Sequence, residues 1–190
     1  MSLPDLFSQE APVAIISYGF AKHDEERSKK YWRYGHHYNL RMRIKSTDLG
    51  GIYAELGYMN FELTKYWLRN FNNYYDQEWY VKTPKKRVIK IGLAAEFIKQ
   101  MRRMELTAFF GIGKLYEKDR GSELYFDTGP YIIRPSSKNQ LYYIDGLIGI
   151  NFKASKFLGF GLNSGYLISI HEKPIQAFWF PLTIDVKVYF

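Results

Sequence analysis

The last nine residues of the chain, Leu182-Thr183-Ile184-Asp185-Val186-Lys187-Val188-Tyr189-Phe190, are compatible with very few folds. Leu182, Ile184, Val186, Val188 and Phe190 are apolar at period two without interruption, and Thr183, Asp185, Lys187 and Tyr189 fill the alternate positions. Successive strand side chains point to opposite faces, so this segment has one oily face and one charged face. A helix would scatter both sets around its circumference.

The same period recurs along the chain. A first strand over 13–21 puts Ala14, Ile16, Tyr18 and Phe20 on one face, and a second over 36–45 puts Tyr38, Leu40, Met42 and Ile44 opposite Asn39, Arg41 and Arg43. Further strands are predicted over 50–61, 86–97, 103–116, 141–152 and 156–170, and the terminal strand over 178–190 makes eight. Segment 91–106 has helix-forming composition, but its apolar residues keep to odd positions from Ile89 to Phe97, which is strand spacing. Connections 22–35, 62–85 and 117–140 are long, whereas 46–49, 98–102 and 153–155 are short. Such alternation is expected of an up-and-down barrel whose two rims face different compartments.

The terminal segment resembles the C-terminal strand of bacterial outer-membrane barrels, which end in an aromatic residue, usually Phe, after apolar residues at alternating positions. That resemblance implies an all-β, eight-stranded antiparallel up-and-down transmembrane barrel with long loops on one rim and short turns on the other. Leu182, Ile184, Val186, Val188 and Phe190 would form its membrane-targeting row. The layout is similar to that of OmpA/OmpX-like barrels. Residues 13–190 would form the barrel and 1–12 a short mobile lead-in. The segment MSLPDLFSQEAP lacks a charged-then-apolar leader, so an outer-membrane location is expected for a mature form whose signal peptide is absent from this sequence. A lipocalin-like soluble carrier has the same alternation turned inside out, oily faces inward around a ligand.

Composition narrows the class further. No stretch approaches the ~20 apolar residues of a membrane-spanning helix, and the absence of cysteine removes disulfides and thiolate metal sites. The 17 Tyr, 14 Phe and 4 Trp suit half-wet interfaces. Tyr18, Phe20, Tyr31, Trp32, Tyr34, Trp79, Tyr80, Tyr142, Tyr143, Phe178 and Trp179 are expected as a girdle at the long-loop rim, with Phe97, Phe152, Phe157 and Phe190 at the other. The net charge of +8 is dispersed among acidic residues, a pattern that argues against a nucleic-acid partner and suits the phosphates of outer-membrane lipids.

An eight-stranded barrel is just wide enough inside for its own side chains. The inward set includes Arg41, Arg43, Lys90 and Lys187 against Glu55, Glu96, Glu105, Asp145 and Asp185. Unpaired ions in so narrow a space cost several kcal/mol each, so a lumenal ion-pair network and no wide pore are expected. Inward glycines leave room for these long side chains.

Catalytic signals are sparse. His23, His36, His37 and His171 have no zinc spacing, no phosphate loop is present, and neither a cofactor nor a metal is expected. Ser169 and His171 share one strand face at the long-loop rim, where His36 and His37 begin the second strand. The lipid A deacylase family resembles this in using a His and a Ser two residues apart, followed by Asn. Here the order is Ser169-Ile170-His171-Glu172. A lipid A-modifying enzyme is thus the alternative reading. The lipid A palmitoyltransferase family needs an apolar slot inside the barrel, which the charged interior argues against. Loops 62–85 and 117–140 offer the better partner surface: the first is crowded with Tyr, Trp, Phe and Asn, which suits a protein partner or host ligand. The second, with Pro130 and Pro135, is expected to be irregular.

Overall fold

Eight stretches of alternating polarity can hide every backbone polar group only if each strand finds two neighbours, which requires closure. The computed structural model describes residues 12–24, 34–47, 49–62, 80–82, 85–101, 104–119, 122–125, 132–134, 136–170 and 177–189. Its strands are β1 (Ala14–His23), β2 (Gly35–Thr47), β3 (Gly50–Glu62), β4 (Tyr80–Lys82), β5 (Lys85–Met101), β6 (Met104–Asp119), β7 (Ser122–Tyr125), β8 (Ile132–Arg134), β9 (Ser137–Lys153), β10 (Leu158–Ser169) and β11 (Ala177–Val188). Eight of them form a closed barrel in the order β1-β11-β10-β9-β6-β5-β3-β2, every pairing antiparallel. The first and last strands join it, Ala14 opposite Val188 and Phe20 opposite Leu182.

Orientation decides between a membrane barrel and a soluble carrier. The apolar rows face out: Ile148 is 70% exposed, Phe110 61% and Ile112 60%, whereas Lys90, Lys187 and Asp185 on the other face are 0% exposed. Covering each such outer side chain with hydrocarbon contributes about 1.5–3 kcal/mol, so this surface is suited to lipid rather than water. In the last strand Leu182 and Ile184 are exposed, Val186 and Val188 half-buried on the same outer row, and Thr183, Asp185, Lys187 and Tyr189 are buried within. Phe190 lies outside the described residues.

Several details depart from the sequence reading. β5, β6 and β9 have 17, 16 and 17 residues, well beyond the ~10 that cross a bilayer, so one flank of the wall is tall. Connection 117–140 is not simply irregular: it holds β7 and β8, which pair with each other, and β7 pairs with β4 from connection 62–85. The two longest connections are therefore tied together by a three-stranded sheet. Register shifts place an extra residue in β2 near Ile44, opposite β3, and in β11 near Pro181, opposite both β1 and β10. Each inserts a residue and adds local twist, as barrel curvature demands.

The girdle is also narrower than expected. Tyr18, Phe20, Tyr34, Tyr142 and Tyr166 are exposed on the outside and Trp179 stacks on Tyr166 at 6.5 Å. Tyr143 instead turns inward because it occupies the alternate parity of β9, and Phe178 is turned inward by the extra residue near Pro181, which reverses the parity of β11 beyond Leu182. At the other rim Phe97, Phe152 and Phe157 are exposed as the pattern requires. Tyr31, Trp32 and Trp79 lie outside the described residues, and of Tyr80 only the backbone is described.

Candidate functional site in the lumen and at the long-connection rim

The lumen is filled by side chains in two layers of different chemistry. In the first, Glu55 on β3 is the hub. Its Oε1 accepts from Arg41 Nε at 2.8 Å and from Asn39 Nδ2 at 2.7 Å, and lies 2.9 Å from Lys90 Nζ. Tyr143 donates its hydroxyl to Oε2 at 3.0 Å, and Lys90 also pairs with Asp145 at 2.5 Å. A second pair lies closer to the short-turn rim: Lys187 with Glu96, which also accepts from Tyr53 Oη at 2.6 Å. Asp185 accepts from Asn163 Nδ2 at 2.8 Å, and Tyr189 Oη is 3.5 Å from Glu105. Arg43 is half-buried on β2, in register with Tyr53 of β3.

Period two and the glycines make this arrangement possible. A Cβ on Gly111 would meet the Asp145 carboxylate, and one on Gly161 the Asn151 side-chain amide. Each missing side chain is thus the space into which a polar neighbour leans. Aromatic rings complete the layer: the Arg41 guanidinium lies 4.3 Å from the Phe109 ring centre, and Lys187 Nζ is 5.4 Å from the same ring.

The second layer was not anticipated. Toward the long-connection rim the inward positions become Ala21, Met59, Phe61, Val88, Leu115, Leu167, Phe178 and Phe180, all buried. Phe61 and Phe178 stack at 5.6 Å, and His23 sits against both at 4.5 and 4.6 Å. His37 stacks on Phe180 at 4.5 Å, with neither ring nitrogen in a hydrogen bond. Lys86 caps the layer, 3.1 Å from Glu117 and 5.6 Å from the Phe178 ring. The interior is therefore apolar in one part and ionic in the other. The expected ion pairs occupy the one part, and rings that the polarity pattern did not signal fill the other.

His36 and His37 are parted by the wall of the barrel. His36 faces outward and its Nδ1 is 2.9 Å from Tyr18 Oη, while His37 faces inward, as neighbours on a strand must. Ser169 is buried on the inner face of β10, and His171 lies outside the described residues. No group of three metal-binding side chains occurs among the described residues.

No family model and no curated protein matches the chain. Solved structures do. Neisserial surface protein A is similar over 93% of this chain and 96% of its own, at 10% identity and a TM-score of 0.54. The N-terminal β-barrel domain of Pseudomonas aeruginosa OprF is similar over 95% of this chain and 98% of its own, at 6% identity and a TM-score of 0.51. The chain has the fold of the small eight-stranded outer-membrane barrels. At these identities the likeness is one of architecture; the side chains inside the barrel are this chain's own.

Proposed function

We propose that the chain is an integral outer-membrane barrel that acts through its long connections, in a structural, adhesive or partner-binding role. The observation that carries this reading is the pairing of β4, β7 and β8, which links connections 62–85 and 117–140 beyond the tallest strands of the wall. A small sheet holding two long loops together lowers the entropy lost when a partner docks on them. The ring-filled and ion-paired lumen supports a role at the surface rather than transport. The outward apolar rows support lipid as the solvent of the wall.

The test begins with extraction. Purified protein is expected to require detergent and to migrate faster unboiled than boiled on a denaturing gel. Whole cells treated with protease are expected to yield cuts within 63–84 and 120–136, and purified protein to give negligible conductance in planar bilayers. Recovery of the folded chain in buffer without detergent would sink the reading.

A further inference from the structure

The outer surface carries a basic row that the fold assembles from distant sequence. Arg87 on β5 is directly opposite Lys118 on β6, and Lys118 is directly opposite Lys138 on β9. All three lie on the outward parity at the long-connection end, Lys118 and Lys138 exposed and Arg87 half-buried. Two strand spacings amount to about 10 Å, so three cations stand within the reach of one or two phosphates. Like charges in directly opposed positions are destabilising unless something anionic covers them.

Nothing on the same face of these strands does so. The described outward positions of β5, β6 and β9 hold no carboxylate, because Glu96, Glu105, Glu117, Asp119 and Asp145 all point inward. Outward on β3, Glu62 is 3.5 Å from Lys85. Arg87 Nε is buried without a hydrogen-bond partner.

Below the row, toward the bilayer, the chemistry changes in order. Next come Tyr116 and Gln140, then Lys114 beside Tyr142, its Nζ 5.4 Å from the ring centre. Beneath them a groove of about 640 Å³ opens in the wall, bordered by Leu93, Ile112, Lys114, Tyr142 and Ile170. Its floor is thin because Gly92 and Gly113 face each other across the β5/β6 ladder. Cations over an aromatic shelf over an apolar groove match the three parts of a phosphorylated, acylated lipid.

We propose that Arg87, Lys118 and Lys138 bind the phosphates of an outer-leaflet lipid of the lipid A type, with an acyl chain in the groove below Lys114 and Tyr142. This rests on the membrane reading and adds a specific lipid site to it. Arg contributes a fork suited to phosphate oxygens and Lys contributes charge, so the site distinguishes phosphate from a neutral sugar headgroup.

The experiment uses the full chain in neutral detergent micelles with added diphosphoryl lipid A, and native mass spectrometry to count retained lipid. The triple variant R87Q/K118Q/K138Q is expected to bind about a hundredfold more weakly, at roughly one near-surface cation's contribution for each replacement. The variant K45Q/K99Q, changed at the opposite rim, should bind as the parent does. Phosphatase-treated lipid A should bind the parent as poorly as intact lipid binds the triple variant, and inorganic phosphate should not displace the lipid. Equal retention by parent and triple variant, equal retention of the dephosphorylated lipid, or displacement by inorganic phosphate would each overturn the site. All proteins are first checked for heat-modifiable migration and bilayer insertion, so a failure there counts against the membrane reading and not against the site.

Discussion

Two parts of one lumen solve the same packing problem by opposite means. Around Glu55 the interior is filled by ions whose attraction must offset the cost of leaving water, and every charge in the cluster has a named partner. Around Phe61 and Phe178 the interior is filled mainly by phenylalanine rings, which need no hydrogen-bond partner. Ionic fill is unforgiving of a single deletion but tolerant of replacing a whole pair. Ring fill responds in proportion to the volume removed. The contrast shows that closure of a narrow barrel does not dictate the chemistry of its interior, only that each layer be complete.

The largest effect should come from breaking the hub. Glu55→Ala leaves Arg41 and Lys90 short of their shared carboxylate, and a loss of about 3–5 kcal/mol is expected from urea unfolding in bilayers followed by tryptophan fluorescence. A loss under 1 kcal/mol would show that water already satisfies this layer. Next, Phe178→Ala removes a ring between Phe61, His23 and Lys86, and a cost of about 3 kcal/mol is expected by the same measurement. If it matched or exceeded Glu55→Ala, the ranking of the two layers would be reversed. The smallest effect is expected from the paired replacement Lys187→Met with Glu96→Leu. Both charges go together, so stability should stay within about 1 kcal/mol of the parent, while either single replacement costs several times more. A double variant as damaged as the singles would mean that the pair is held by more than mutual attraction, with the Tyr53 hydroxyl the first suspect.

How much of this was legible in the sequence follows from where the alternation is clean. In β11, Leu182 to Val188 alternates without fault because hydrocarbon lies on one side and ions on the other, so strand, parity and inward charges could all be read. Toward the long-connection rim the same rule gives no signal. Tyr58-Met59 and Phe178-Trp179-Phe180 are apolar or aromatic on both faces, since one face meets the interface and the other the ring-filled layer. Phe178 shares the numbering parity of Leu182 and so reads as part of an outer girdle, but the extra residue near Pro181 turns it into the lumen. The sheet of β4, β7 and β8 was hidden for a different reason: strands of three or four residues are too short to display a period. The basic row was invisible because Arg87, Lys118 and Lys138 come together only through register, which no local pattern encodes.

The pairing of Ala14 with Val188 has a consequence for how the molecule comes into being. A ladder that joins a barrel's first strand to its last cannot form until every strand between them has been synthesised, so the ring stays open through every earlier stage. Until β11 docks, β1 and β10 each expose an unsatisfied row of amides and carbonyls ready to template other chains. Contacts so remote in sequence also form slowly. Biogenesis of the barrel therefore has a vulnerable interval that ends when β11 docks, and deletion of β11 should cause aggregation far out of proportion to the dozen residues lost.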